Sequence, residues 1–271
     1  VKGKGYDYAE RSPVVFHGIS KFDVETGEPV EAGKSFSSEF GDYLCGVAAK
    51  DRRICAITAA MSVGTGLEKF RELYPDRFFD VGIAEEHAVT FSSGLAKMNL
   101  VPVFAVYSAF LQRCYDQLIH DVSLQNLHLV LAVDRAGFVG EDGETHQGLF
   151  DVTMLNGIPG VTIYSPATFA ELRSAMNNAL YHDKGIVAVR YPRAGESALP
   201  SAFAPCGNGF DCYGDVQSPY AVVSYGRTAV AACFAAERLS QSGVSVSVIK
   251  LNRIKPFDAA ALDLACGKKT V

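Results

Sequence analysis

The sequence of 271 residues contains no tryptophan, and its apolar runs are all short. None approaches the ~20 residues that a membrane-spanning helix needs. Behind the opening Val1-Lys-Gly-Lys-Gly-Tyr6 there is no apolar signal-peptide core. These absences predict a cytoplasmic protein without a membrane anchor. A large excess of one charge is also missing: the net charge is -5 and the pI about 5.7. That balance speaks against a surface that coats nucleic acid. No C-x-x-C spacing occurs among the seven cysteines Cys45, Cys55, Cys114, Cys206, Cys212, Cys233 and Cys266. Their number is odd, and Cys45, Cys114 and Cys233 sit among apolar residues at helical spacing, which reads as reduced structural thiols. No H-x-x-x-H or Cys/His cluster suggests a metal site. Neither G-x-G-x-x-G nor G-x-x-x-x-G-K-[ST] is present, so both nucleotide fingerprints are excluded. Ser62-Val-Gly64-Thr-Gly66 completes neither pattern.

What remains is ordinary globular material, 48% hydrophobic and 20% charged. The length suits one large α/β domain and part of a second. Residues 1–34 are polar and punctuated by Pro13, Gly18, Gly27 and Pro29, with one apolar knot at Val14-Val15-Phe16. They read as a connector. From Phe36 the pattern alternates. A helical stretch carries Phe40, Tyr43, Leu44, Val47 and Ala48; a continuous apolar run, Ile54–Thr58, then reads as a strand buried on both faces. Similar runs occupy 78–82, 101–107, 127–134, 161–165 and 186–191, with helical spacing over 110–124 and a capping box at Thr168 and Glu171. This alternation predicts an α/β fold: a doubly wound, mostly parallel sheet with helices on both faces over 35–197. Residues 198–215 read as a linker. From 216 a second strand–helix–strand unit begins, over 221–224, 228–239 and 244–251, followed by a helix from 258 to 266. It is too little to close a core, which predicts an incomplete second α/β domain.

In an open parallel sheet, ligands bind beyond the carboxyl ends of the strands. Those positions hold Glu85 and His87, then Ser108 to Phe110, then the long loop from Arg135 to Gly148 with His146, then Arg193. Acids, a histidine and two arginines on one rim are what a catalytic cleft requires. Each has a plainer reading. Glu85 at a helix N-terminus is suited to capping, worth ~0.3–1 kcal/mol. Arg135 beside Asp134 reads as a solvated pair worth under ~1 kcal/mol, and Arg193 as a partner of Glu196. Together, two arginines form a plausible phosphate clamp. His120 and His128 read as structural. Residue chemistry alone reaches an α/β enzyme that handles a phosphate or carboxylate.

Three longer stretches are more specific. Asp80-Val-Gly-Ile-Ala-Glu-Glu-His-Ala-Val-Thr90, Tyr107-Ser-Ala-Phe-Leu-Gln-Arg-Cys-Tyr-Asp-Gln117 and Asp134-Arg-Ala-Gly137 with Asp142-Gly-Glu-Thr-His-Gln-Gly148 occur in this order, followed by Arg190-Tyr-Pro-Arg193. They resemble the 1-deoxy-D-xylulose-5-phosphate synthases, thiamine-diphosphate enzymes of the transketolase type. The opening Lys2-Gly-Lys-Gly-Tyr6 with Phe16-His-Gly18 resembles the segment after that family's diphosphate-binding domain. The resemblance implies that Glu85 activates the cofactor through N1′ of its aminopyrimidine and that Phe110 stacks on the pyrimidine. It implies that Tyr107, Arg135, Asp142 and Arg193 surround the phosphorylated acceptor, and that His146 and His17 lie near the reacting carbons. The implied cofactors are thiamine diphosphate and Mg²⁺. The implied substrates are pyruvate and D-glyceraldehyde 3-phosphate, giving carbon dioxide and 1-deoxy-D-xylulose 5-phosphate in a homodimer. There are departures: Ala59 and Gly82 replace a usual proline and alanine, and the family's Gly-Asp-Gly motif for metal and diphosphate is absent. The expectation is therefore half of an active site, inactive alone, completed by a missing diphosphate-binding domain or chain. The chain would be a fragment of a one-chain synthase, with a split-transketolase subunit and a non-catalytic module of the same fold as alternatives. Exposed apolar surface and self-association are expected in each case.

Overall fold

The computed structural model describes residues 3–19, 21–29, 33–140, 143–200, 203 and 209–271. Ten strands are present among them: β1 (Ile54–Thr58), β2 (Phe78–Asp80), β3 (Val101–Tyr107), β4 (Leu129–Asp134), β5 (Thr162–Tyr164), β6 (Ile186–Arg190), β7 (Phe210–Tyr213), β8 (Ala221–Tyr225), β9 (Ser247–Leu251) and β10 (Arg253–Lys255). Seven build one sheet in the order β10-β5-β6-β4-β3-β1-β2, parallel throughout except for β10. The doubly wound α/β expectation holds.

Both faces of this sheet are covered, and the side-chain alternation of a strand explains why its residues read as unbroken apolar runs. Val101, Val103 and Ala105 of β3 point into one core with Phe36, Phe40, Leu44, Phe70, Leu172 and Met176. Phe104 and Val106 point into the other with Ala88, Val89, Leu111, Leu118 and Leu155. The helices Phe36–Ala48 and Phe169–Tyr181 cover the first face, and Glu85–Lys97 covers the second.

The predicted helix over 110–124 is wound unevenly. It runs as α-helix Ser108–Leu111, a 3-10 turn Gln112–Cys114, a short α-turn Tyr115–Gln117 and a π-turn Leu118–Ser123. The changes of pitch keep Leu111, Cys114, Leu118 and Val122 on the buried side throughout. The capping box at Thr168 is half realised. Thr168 Oγ1 accepts from the Glu171 backbone N–H at 3.1 Å, but Glu171 Oε2 accepts from Ala167 N rather than from the cap residue.

The N-terminal segment packs on itself: the rings of Tyr6, Phe16 and Phe22 lie 5.2 to 5.8 Å apart, and Tyr6 Oη donates to Val24 O. Residues 210–213, inside the stretch read as linker, form β7 of a small sheet ordered β7-β9-β8. A second strand absent from the sequence reading is β10, which turns back and pairs with β5 of the large sheet. Between the two sheets Lys250 is fully buried. Its Nζ is 2.7 Å from Glu171 Oε1 and 3.7 Å from Asp211 Oδ2, and it also contacts the Asn252 side chain. Removing one partner of such a group leaves uncompensated buried charge. Lys250→Met is therefore expected to destabilise the chain by about 3–5 kcal/mol, read from urea unfolding. A loss below ~1 kcal/mol would show that the cluster is solvated in solution.

Candidate active site

The rim is assembled where β1, β2, β3, β4 and β6 end. Glu85 is the first residue of the Glu85–Lys97 helix and is 1% exposed. Its Oε1 accepts from Arg113 Nη1 at 2.8 Å, while Oε2 is buried without a partner. Neither oxygen takes a backbone N–H, so Glu85 makes no capping hydrogen bond and only its charge meets the helix dipole. His87, two residues on, is exposed against Phe91.

Tyr107 closes β3, and its ring stacks on Phe110 at 5.8 Å. His146, on the 3-10 turn Glu144–His146, lies 5.2 Å edge-on to Phe110 and 6.3 Å from Tyr107. The Arg135 guanidinium sits 3.6 Å above the Tyr107 ring, a cation held against an aromatic face. Arg135 Nη1 also donates to Gly64 O at 2.9 Å and lies 3.2 Å from Asp134 Oδ1. Tyr107, Phe110, Arg135 and His146 are thus one cluster, joined to Glu85 through Arg113. The weak Gly-Thr-Gly signal has a spatial cause as well. A Cβ on Gly64 would lie 1.6 Å from Tyr107 Oη, and Gly66 has φ +74°.

The reading of Arg135 with Asp134 as a solvated surface pair is overturned. Asp134 is fully buried and Arg135 nearly so. Asp134 accepts from Ser37 Oγ at 2.6 Å and from the Arg135 backbone N–H at 2.7 Å. Burial nevertheless pushes its carboxyl up to about 6, against the pull of Arg135 and Ser37. Because the folded value exceeds the unfolded one, this group's stabilisation is fully present below pH ~4 and is lost as pH rises through about 6. Asp134→Asn is expected to remove that slope. Between pH 4 and pH 6 the wild type should lose on the order of 1–3 kcal/mol relative to the variant, measured by denaturant unfolding at each pH. A difference independent of pH would contradict the assignment.

The remaining predicted residues are placed differently. Arg193 is half-buried in the loop after β6. Glu196, its suggested partner, instead accepts from the Phe169 backbone N–H at 2.7 Å. His17 is exposed at the end of the short helix Pro13–His17 of the N-terminal segment. Asp142 lies outside the described residues. His128 is structural: Nδ1 is 3.0 Å from Gly185 O, and burial pulls its pKa down. Two contributors escaped the sequence reading, Ser37 and Arg113, while Gly64 stood only as a weak loop signal and Asp134 only as the neighbour of Arg135. Arg113 carried a signal, three residues after Phe110 and so on the same helical face.

Residues 33–195 match the family described as "Transketolase, pyrimidine binding domain", and 217–271 match "Transketolase, C-terminal domain". The chain belongs to the transketolase family. Its pyrimidine-binding domain is the unit that carries the cluster above. Among curated relatives, the 1-deoxy-D-xylulose-5-phosphate synthase of Caldanaerobacter subterraneus is 51% identical over 263 residues, 95% of this chain and 42% of the relative. That of Clostridium kluyveri is 47% identical over 262 residues, 96% of this chain and 42% of the relative. The chain spans about two fifths of the length of these relatives. A structure titled "Split gene transketolase, inactive beta4 tetramer" is 23% identical with TM-score 0.73, covering 88% of this chain and 78% of its own. The transketolase of Campylobacter jejuni is 17% identical with TM-score 0.76, covering 87% of this chain and 38% of its own. These structures share the fold.

Among the described residues no helix is long and apolar enough to cross a membrane, and no cluster of three or more His, Cys, Asp or Glu is set to hold a metal ion. Large apolar side chains do stand out on the surface, with Ile83 80% and Phe138 85% exposed.

Proposed function

We propose that this chain supplies the pyrimidine-binding half of the active site of a 1-deoxy-D-xylulose-5-phosphate synthase. The observation that carries the reading is Glu85: a buried carboxylate with one oxygen held by Arg113 and the other left without a partner. A buried acceptor left open costs ~1–3 kcal/mol, which a planar ring with a donor would recover. The half-buried ring of Phe110, joined to Glu85 through Arg113, suits stacking on the same heterocycle. The residues present therefore fit the aminopyrimidine of thiamine diphosphate. Relatives at 45–51% identity named as synthases support the choice within the family.

When bound, thiamine diphosphate supplies the electron sink for loss of carbon dioxide from pyruvate. Glu85 Oε2 holds the proton at N1′ of the pyrimidine, and Phe110 fixes the ring plane. Arg135, Arg193 and Tyr107 grip the phosphate of D-glyceraldehyde 3-phosphate, since planar guanidinium groups match its geometry and charge. Asp142, in the same sequence stretch as His146, is assigned as a polar group that positions the acceptor. His146 and His17 move protons at the oxygens of the reacting carbons. Pyruvate and the aldehyde leave as carbon dioxide and 1-deoxy-D-xylulose 5-phosphate, a precursor for isoprenoids, thiamine and pyridoxal phosphate. Mg²⁺ and the diphosphate are held by a separate domain or chain, so this segment alone is inactive. Residues 1–34 link that domain to the pyrimidine-binding domain. The working enzyme is a cytoplasmic homodimer.

The test is carbon dioxide release from pyruvate by the longest native gene product with thiamine diphosphate and Mg²⁺, with and without D-glyceraldehyde 3-phosphate. Release that depends on the aldehyde and yields a five-carbon deoxy-sugar phosphate by mass supports the synthase. Two-carbon transfer from a ketose phosphate without decarboxylation would replace it with a transketolase.

A further inference from the structure

Arg113 touches both Glu85 and Phe110, the two groups proposed to meet the pyrimidine. Its Nη1 is 2.8 Å from Glu85 Oε1, and its Cζ lies 4.7 Å from the centroid of the Phe110 ring. The backbone beneath it is fixed from both sides. Leu111 and Cys114 are fully buried, and Cys114 Sγ donates to Leu111 O at 3.1 Å. The 3-10 turn Gln112–Cys114 sets Arg113 one turn beyond Phe110, so the guanidinium lies along that ring and still reaches across to the Glu85–Lys97 helix. Within the Glu85 carboxylate the two oxygens are consequently unlike: Oε1 is committed and Oε2 is open.

We infer that Arg113 is a positioning residue, which fixes the Glu85 carboxylate plane and the Phe110 ring together so that the open Oε2 and the ring face make one slot for a planar nitrogen heterocycle. This rests on the proposed function. A carboxylate held at one oxygen by a charge-assisted bond cannot swing, because rotation about its last torsion would break that bond. A guanidinium is also planar, so it can bond Glu85 at its edge while its face lies against Phe110. Lysine, a point charge on a flexible stem, would keep the first contact and lose the second. Arg113 itself is 46% exposed at its side chain, whereas Glu85 is 2% exposed. Its part is therefore alignment from the rim, and it takes no proton in the reaction.

The experiment uses the longest native gene product as wild type, Arg113→Met and Arg113→Lys. Three quantities are read: exchange of the C2 hydrogen of bound thiamine diphosphate for deuterium without substrate, by quenched NMR; the cofactor Kd, by calorimetry; and Tm. In Arg113→Met the exchange rate is expected to fall roughly 10–100-fold, the usual cost of a small misplacement of a catalytic group. Kd and Tm should stay close to wild type, since the diphosphate is anchored elsewhere and the turn is held by its buried neighbours. Arg113→Lys should recover part of the rate. Wild-type exchange in Arg113→Met would overturn the inference. So would a fall matched by loss of binding or Tm, which marks a structural role, and so would complete rescue by lysine. If the wild type binds no thiamine diphosphate, the functional reading fails first and the inference falls with it.

Discussion

Glu85→Gln in the longest native gene product lowers the rate of pyruvate decarboxylation by on the order of 10³-fold, while the protein stays folded. The substitution keeps the shape of the side chain and an oxygen for Arg113 to bond. It removes the ability to hold or release a proton at the open position. Because Glu85 is buried, no solvent water replaces the carboxylate easily. The effect should therefore fall on kcat, with the KM for pyruvate little changed. A variant within tenfold of wild type would remove Glu85 from the chemistry and return it to a structural role at the helix start.

Arg135→Met is expected to raise the KM for D-glyceraldehyde 3-phosphate by roughly 10–100-fold, the range of one or two charge-assisted bonds to a phosphate. The residue is unusually prepared for this task. It has φ +57°, a conformation uncommon for a bulky side chain, and is held by Asp134, Gly64 O and the Tyr107 ring. A guanidinium fixed on three sides loses little further freedom on binding. An acceptor lacking the phosphate supplies the control, since its KM should not distinguish wild type from variant. If kcat falls and neither KM moves, Arg135 supports the loop and does not grip the acceptor.

Much of this was legible in the residues. β1 and β3 fall where the apolar runs begin and end, because strands buried on both faces carry no polar interruption. β7 was hidden by the opposite circumstance. Asp211 in its middle is a buried charge, served by Asn252 Nδ2 at 2.7 Å, and its partners come from a distant part of the chain. β10 was hidden because Arg253-Ile-Lys255 before a proline reads as a loop, and only an edge strand tolerates such a sequence. The site divides in the same way. Glu85, Tyr107, Phe110, Arg135 and His146 stood out within contiguous motifs. Ser37, Gly64 and Asp134 matter through contacts across the fold: Ser37 reaches Asp134 over 97 residues, and Gly64 O reaches Arg135 over 71. No periodicity in a single sequence carries such pairings.

The pairing of β10 with β5 bears on how the protein can be divided. β5 is a strand of three residues with β6 on one side and β10 on the other. A protein cut after 195, where the first family match ends, would lose β10 and leave the free N–H and C=O groups of β5 open to solvent. An open strand next to apolar residues is a template for pairing with another chain. Expressed alone, the pyrimidine-binding domain should therefore aggregate through its β5 edge, and a safe boundary for dissecting the protein lies beyond Lys255 rather than at the limit of the family match.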